Sequence, residues 1–419
     1  MKNKLSIYNL YFTFGNDLVI YNSMSNNYIK INNCTIEKLK TFVAQDDYYN
    51  SDLFDYGILT ELNNCEEKLL CDSTYYSYIN NNILAITIIT TRACNFRCQY
   101  CPQNHNGGFM EKEIYNRIYK FILKNITDYS KIKITLFGGE PTLAYNNYSD
   151  FLDKTNDLCK FYKRKFEGVM ISNGYLLNKE LIKKLYKKNI TQYQITLDGS
   201  KENHNSNRPF IDSTNTFDVI YGNLLNILHS KELKHLSIAI RINCTKELID
   251  NIDNWIYLYE PFSTDNRFLI NLGVVQDRGG EYIKDFSGEL ISESDDIYFM
   301  AKNKLSNHNF YENYINKNYF VCKDVSRGSY TIDVDGKIRS CSNIYTDNVI
   351  GYLNKFGSAV FNKRKDLLYL KNNSDCKGCV VEPLCHGKTC ALKTNCDKNS
   401  IIRTVESFIM KQSINTIDL

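Results

Sequence analysis

Residues 83–101 read Ile83-Leu84-Ala85-Ile86-Thr87-Ile88-Ile89-Thr90-Thr91-Arg92-Ala93-Cys94-Asn95-Phe96-Arg97-Cys98-Gln99-Tyr100-Cys101. The run from Ile83 to Thr91 is dominated by β-branched residues and suits a strand buried on both faces. Three cysteines follow directly, spaced Cys-x3-Cys-x2-Cys on a short loop. Three thiolates fit an iron–sulfur cluster and leave one iron without a protein ligand. An open iron can hold another molecule, which points to catalysis rather than electron storage. The alternative is a zinc knuckle, which wants four ligands in a closed tetrahedron. His105 is near enough in sequence to be the fourth.

About forty residues on, a second strand is expected over Ile132–Phe137, followed by Gly138-Gly139-Glu140-Pro141-Thr142. Two glycines let a backbone approach a ligand closely, and a carboxylate beside them can accept hydrogen bonds from an ammonium group. With the cysteine loop one strand earlier, the pair of motifs resembles the radical S-adenosylmethionine (SAM) superfamily. The resemblance implies that Cys94, Cys98 and Cys101 hold a [4Fe–4S] cluster whose open iron chelates the amino and carboxylate groups of SAM. One electron then cleaves SAM to a 5′-deoxyadenosyl radical that takes hydrogen from a substrate. It also implies cofactor contacts for Tyr100 (beside the adenine), for Gly138, Gly139 and Glu140 (the methionine amino group), and for Thr196 at the end of Ile195-Thr196-Leu197-Asp198-Gly199. Arg208 matches an arginine that pairs with the SAM carboxylate, a task a guanidinium fork suits.

Strands are expected at Ile83–Thr91, Ile132–Phe137, Gly168–Ser172, Gln192–Leu197, Leu236–Asn243 and Phe268–Val274. Helical patterns separate them at Glu111–Leu123, Tyr148–Lys165, Lys179–Lys188 and Phe217–His229. Such alternation implies parallel crossovers. The expected fold is α/β: an open six-stranded β/α (partial TIM) barrel over residues 81–310, two repeats short of the closed eightfold form. Its site belongs at the C-terminal strand ends, where the cysteine loop and the glycine pair both fall. The segment Gln276–Asn318 reads as a bridge to the tail.

Seven more cysteines lie between Cys322 and Cys396, spaced Cys322-x13-Gly336-x4-Cys341, then Cys376-x2-Cys379-x5-Cys385-x4-Cys390-x5-Cys396. Asp335-Gly336 is a hairpin signal between Tyr330–Val334 and Lys337–Ser340. Regular cysteine spacing in a chain without a secretion signal favours metal ligands over disulfides. The pattern resembles the SPASM domain, expected over residues 311–419, with two auxiliary [4Fe–4S] clusters and three clusters in all. The resemblance assigns Cys376, Cys379, Cys385 and Cys396 to an outer cluster, and Cys322, Cys341 and Cys390 to an inner one. One departure stands out: Cys385 and Cys390 enclose four residues, one more than usual. Two zinc sites are the alternative. Cys34, Cys65, Cys71, Cys159 and Cys244 have no partner spacing.

Residues 1–80 precede the barrel. Asn9–Phe14, Leu18–Asn22 and Tyr28–Ile31 read as strands, and Thr35–Ala44 and Ser51–Asn63 as helices. This layout resembles the winged-helix-like, PqqD-like recognition element of peptide-modifying radical SAM enzymes, whose strand edge can capture a leader peptide. The chain has 419 residues and a net charge of +4, too little to imply nucleic acid. It shows no signal peptide and no long apolar run, so membrane insertion is not expected and a cytoplasmic location is. The expected partners are a precursor peptide with a leader and an electron donor such as flavodoxin or ferredoxin. The expected activity is that of a peptide maturase making thioether cross-links. The rivals are an anaerobic sulfatase-maturing, formylglycine-forming enzyme and a maturase forming carbon–carbon or carbon–oxygen links.

Overall fold

Short strands open the chain: β1 (Asn3–Leu5), β2 (Asn9–Phe14), β3 (Asp17–Asn22), β4 (Asn27–Ile31) and β5 (Leu59–Glu61). They belong to a computed structural model that describes residues 3–45, 50–79, 82–103, 105, 107–212, 215–276, 283, 286, 288–292, 295–307, 326–343, 348–362, 376–385, 396, 398–410 and 416–417. The described residues form two compact units. One draws on 1–80 and 369–419, the other on 81–311 and 323–368.

In the first unit β2, β3 and β4 form an antiparallel meander, and β1 pairs with β5. Thr35 caps the helix Ile36–Val43 and Asn50 caps Ser51–Asp55, each accepting a backbone N–H three residues on. The second helix stops at Asp55, well short of the expected Asn63. Gly57 turns the chain at φ +74°, and Leu59–Glu61 then gain sheet partners in Leu5–Asn3. β3 is buried on both faces. Leu18 and Ile20 pack with Leu39 and Leu53, while Val19 and Tyr21 pack with Val381, Val405 and Ile409. The last two side chains belong to the helix Lys398–Ile409, so part of the cysteine-rich tail shares a core with the N-terminal sheet. β16 (Thr416–Ile417) pairs in parallel with β4.

The second unit is built on one large sheet. Its parallel core is β6 (Ile83–Thr91), β7 (Lys131–Gly138), β8 (Lys165–Ser172), β9 (Ile190–Thr196), β10 (Ser237–Cys244) and β11 (Phe268–Val274). These strands lie side by side in chain order. Crossover helices run over Lys112–Asn125, Tyr145–Phe161, Lys179–Lys187 and Phe217–Leu228. The second of them ends before the expected Lys165, because Lys163 adopts φ +54° and β8 begins at Lys165. Alternate residues such as Ile132, Ile134, Ile238, Ile240 and Ile242 are fully buried in one continuous core. This is an α/β arrangement with a large and mostly parallel sheet. The expected hairpin forms as β12 (Ser329–Ile332) and β13 (Lys337–Arg339), turned by Gly336 at φ +80°. It continues antiparallel through β14 (Val349–Leu353) and β15 (Ala359–Phe361). β12 docks in parallel on β6, so the sheet grows to ten strands. Of the bridge Gln276–Asn318, the described part includes the helix Asp296–Asn307. No described helix is long and apolar enough to cross a membrane.

Candidate functional site

The expected cofactor residues of the first site lie at the C-terminal ends of β6, β7 and β9 and in the segments that follow them, Arg208 at the end of the helix Lys201–Asn207. The cysteine loop leaves β6 and is pinned by backbone bonds on two sides. Arg97 N–H donates to Pro209 O (2.9 Å), Gln99 N–H to Asn207 O (2.9 Å) and Ile211 N–H to Asn95 O (3.1 Å). On the other side Gly139 N–H donates to Thr91 O (2.8 Å) and Glu140 N–H to Ala93 O (2.9 Å). The glycine pair is explained by this second seam. A Cβ on Gly139 would lie 2.1 Å from Ala93 O, and one on Gly138 would lie 2.3 Å from Thr91 O. The expected close approach is to a ligand; what crowds the Cβ positions of these glycines is instead the backbone of Thr91 and Ala93, where β6 runs into the cysteine loop.

Glu140 is fully buried. Its carboxylate accepts from Thr142 N–H (3.0 Å), Thr142 Oγ1 (2.6 Å), Ser172 Oγ (2.8 Å) and Asn173 N–H (2.7 Å). Burial pushes its pKa up, and these donors oppose the shift. In this state the side chain ties the ends of β7 and β8 together, with all four bonds made inside the protein.

The three thiols sit in low-dielectric surroundings. Burial pushes Cys94 and Cys101 up to about 12 and raises Cys98 as well. Cys94 Sγ accepts Phe96 N–H at 3.4 Å, and Asn173 Nδ2 lies 3.9 Å from it. N–H donors aimed at sulfur suit a thiolate. His105 Nε2 lies 3.5 Å from Cys101 Sγ. Among the described residues no three His, Cys, Asp or Glu side chains converge as a single-ion site. A cluster asks for no such convergence, since each thiolate takes a different iron.

Next to the loop is a buried polar network. Tyr100 Oη accepts from Arg208 Nη1 (2.9 Å) and Asn243 Nδ2 (3.1 Å), and donates to Asp198 Oδ2. Asp198 Oδ1 accepts Asn243 N–H (2.8 Å). Asp198 N–H donates to His204 Nδ1 (3.0 Å), so His204 carries its proton on Nε2. Burial, with Arg208 nearby, holds that imidazole neutral. Arg208 lies over the Phe96 ring at 5.6 Å. Burial opposes its charge, but Cys98, Tyr100 and Asp198 outweigh it. Arg208 Nε and Asn95 Nδ2 are buried with no hydrogen-bond partner, and buried donors of this kind want an acceptor. The donor set fits SAM bound at a three-thiolate cluster: an acceptor-seeking guanidinium and an aromatic ring stand beside the cysteine loop. Thr196 lies on the same rim, at the end of β9. Sequence reasoning left Asp198, Asn243 and Asn173 without a role. Each is a polar residue at the C-terminal end of a core strand, the signal that could have found them.

A second unforeseen contact starts at Arg92, two residues before Cys94. Arg92 Nη2 reaches Asp333 Oδ2 at 2.8 Å, and Arg339 Nε reaches the same oxygen at 2.6 Å. Arg339 Nη1 bonds Asn348 Oδ1 (2.9 Å), and Asn348 Nδ2 bonds Cys341 O (2.8 Å). A polar chain therefore runs from the first cysteine loop to the loop of Cys341. Burial pushes Asp333 up, but the two guanidinium groups outweigh it and hold it below the usual carboxylate range. With a lowered native pKa, the stability from these pairs is present above the unfolded carboxyl value and is lost as pH falls through the native one. The Asp333 side chain is 0% exposed and that of Arg92 36%. Asp333→Ala should therefore destabilise the protein by about 2–4 kcal/mol, somewhat below a fully buried pair. Thermal unfolding at neutral pH measures this, and the gap should narrow in acid.

Of the tail cysteines, Cys341 Sγ accepts Asn343 N–H at 3.3 Å, the same two-residue pattern as at Cys94. Cys379 N–H closes a turn on Cys376 O (3.0 Å), and Cys385 ends the helix Glu382–Cys385. Cys396 is exposed. Cys322 and Cys390 lie outside the described residues. Cys34, Cys159 and Cys244 are buried, and Cys65 and Cys71 exposed.

Comparison with known proteins agrees with this geometry. Residues 88–240 match the radical SAM superfamily. A GTP 3′,8-cyclase of Aliarcobacter butzleri is 30% identical over 162 residues, covering 38% of this chain and 45% of that protein. The radical SAM cyclopropyl synthase TigE of Paramaledivibacter caminithermalis is 23% identical over 273 residues, covering 61% of this chain and 54% of its own. The chain thus spans about half the length of the curated relatives it matches. Among solved structures, native anSMEcpe with bound AdoMet and Cp18Cys peptide superposes with a TM-score of 0.56 at 19% identity. That match covers 78% of this chain and 96% of the other, and the likeness is one of fold. The sheet, the cysteine loop on β6 and the family match define a SAM-dependent iron–sulfur enzyme. Over residues 88–240 the chain carries a radical SAM domain.

Proposed function

We propose that this enzyme matures a ribosomally made precursor peptide, taking hydrogen from a peptide carbon and joining that carbon to a cysteine sulfur. The observation that carries the reading is the cysteine tail. Seven cysteines follow the radical SAM core, and Cys341 presents a sulfur already receiving a backbone N–H. Cys376, Cys379, Cys385 and Cys396 would hold an outer cluster, and Cys322, Cys341 and Cys390 an inner one. Such centres take up single electrons, and the inner set leaves an iron open to a substrate thiolate. The first unit supports a peptide partner. β2 is an edge strand with no neighbour on its outer side among the described residues, and such an edge can bind an extended leader by strand addition. The anSMEcpe structure contains a bound peptide, in keeping with this choice of substrate.

At the first site Cys94, Cys98 and Cys101 would hold the cluster, and a bound SAM supplies a hydrogen-abstracting radical when reduced. The chain's own residues orient it. Arg208 offers its buried Nε–H to the carboxylate, Tyr100 is fixed by Asp198 and Asn243 for the adenine side, and Thr196 and the Gly138-Gly139-Glu140 backbone line the rest. Each cross-link removes one hydrogen atom from carbon, and one proton and one electron from a thiol. The domain roles that follow are 1–80 for leader recognition, 81–310 for radical chemistry and 311–419 for the auxiliary clusters, with a flavodoxin- or ferredoxin-type donor supplying electrons.

Two measurements test this. The modified peptide should weigh two hydrogens less per link and lose one alkylatable thiol per link, read by mass spectrometry. Mass loss with every thiol still alkylatable would move the reading to carbon–carbon or carbon–oxygen linkage, and an aldehyde at one residue would move it to formylglycine formation. Separately, anaerobically reconstituted protein should bind about twelve irons per chain, four for each of three cubane clusters. Zinc in place of iron at Cys376, Cys379, Cys385 and Cys396 would make the tail structural.

A further inference from the structure

We infer that Arg241 binds a carboxylate of the substrate, so that the peptide segment entering the site is acidic next to the carbon attacked. The inference rests on the peptide reading above and deepens it.

β10 alternates strictly. Ile238, Ile240 and Ile242 are fully buried on one face, and Arg241 and Asn243 share the other. That second face is the site face, because Asn243 Nδ2 reaches Tyr100 Oη at 3.1 Å. Thr196, Arg241 and Asn271 are register partners across β9, β10 and β11, and one step further up Asn243 pairs with Gly273. The Arg241 side chain does not stay at its own level. A Cβ on Gly273 would lie 1.5 Å from Arg241 Nη2 and 1.7 Å from Cζ. The guanidinium has climbed one pleat, about 7 Å along the strand, to lie across Gly273 beside Asn243. A glycine within a buried strand weakens it, and it usually marks a close approach. Here what approaches is a cation on its way into the site.

Among the described residues the charge has little local compensation. Its hydrogen-bond partners are amide oxygens, Asn243 Oδ1 from Nε at 3.3 Å and Asn271 Oδ1 from Nη1 at 3.2 Å. The nearby carboxylate, Asp198, is occupied by Tyr100 and the Asn243 N–H. Arg241 is only half-buried, and two amides hold its guanidinium on the sheet face that Asn243 shares with Tyr100. Planar, fixed and weakly hydrated, such a group selects a carboxylate. Arg208, bonded to Tyr100 next to the cysteines, is the group placed for the cofactor carboxylate, which leaves Arg241 for the substrate. An aspartate or glutamate side chain and a peptide C-terminus would offer the same chemistry.

The test uses the reconstituted full-length enzyme with SAM and three N-acetylated pentapeptides. The first carries a central aspartate and an amidated end, the second asparagine in its place, and the third alanine with a free C-terminal carboxylate. Calorimetry should show the aspartate peptide binding about tenfold to a hundredfold more tightly than the asparagine peptide, the span of a charge-assisted hydrogen bond. Tighter binding of the third peptide instead would assign the C-terminus, with Arg241 keeping its role. Arg241→Gln should erase the preference, Arg241→Lys should restore part of it, and SAM affinity should stay within about twofold, well below one charged contact. Gly273→Ala, which displaces the guanidinium without removing it, should also erase the preference. The proposal is overturned if wild type does not discriminate, if no probe binds, or if Arg241→Gln weakens SAM by the same factor as peptide. SAM cleavage stimulated by an uncharged peptide would keep the maturase reading while removing the carboxylate.

Discussion

Replacing Cys94, Cys98 and Cys101 together with alanine abolishes cleavage of SAM to 5′-deoxyadenosine and methionine in the reduced protein, while the fold and the iron of the proposed tail clusters persist. This is the largest effect expected of any change in the chain. The loop does not depend on its sulfurs for shape. It is held by Arg97 N–H to Pro209 O, Gln99 N–H to Asn207 O and Ile211 N–H to Asn95 O, none of which alanine removes. What disappears is the set of three ligands that leaves one iron open for SAM. Iron should fall by about four per chain, one cubane cluster, and the far-ultraviolet dichroism should not change. Chromatography of the nucleoside product gives the rate. Cleavage at the wild-type rate in the triple variant would sink the assignment of the first site.

Nearly as large an effect is expected from one methyl group. In Gly139→Ala the new Cβ would stand 2.1 Å from Ala93 O and 2.6 Å from Ala93 C. Both are backbone atoms, so no rotamer change relieves the clash. The residue next to Ala93 is Cys94, and the seam at risk includes the bonds from Gly139 N–H and Glu140 N–H to the loop. Overpacking of this kind costs about 1–3 kcal/mol, with roughly 1 kcal/mol more for each backbone bond lost. More telling is where the damage lands. Iron at the first site should be lost and SAM cleavage should fall by at least about tenfold, a loss of about 1.4 kcal/mol of productive binding. The iron of the proposed tail clusters should be retained. An alanine variant with full iron and normal cleavage would show that the glycine pair does not brace the cysteine loop. Gly138→Ala adds backbone strain to the same clash, since Gly138 sits at φ +133°.

Both predictions combine what the chain states locally with what its folding brings together. The cysteine spacing was legible because Cys94, Cys98 and Cys101 lie within eight residues of each other. The strands were legible for a similar reason: β-branched runs such as Ile83–Thr91 carry their own burial pattern, and each expected core strand appears within a few residues of its place. Errors fell at ends, where a single conformation decides. Gly57 and Lys163, both at positive φ, stopped helices that periodicity alone would have continued. The requirement for two glycines beside the site could be read from sequence, but their partner could not, since Thr91 and Ala93 are brought to them only by the pairing of β6 with β7. The pairing of Arg92 with Asp333 spans 241 residues and depends on β12 docking on β6. The climb of Arg241 over Gly273 depends on the register of β10 with β11. By itself the sequence determined the cysteine spacing and the alternation of strand and helix, because neighbours along the chain set each of these. Only the tertiary structure decided which backbone the glycines meet, which carboxylate holds the arginines and where a lone guanidinium points. Those follow from strand order and register, which no local stretch of chain encodes.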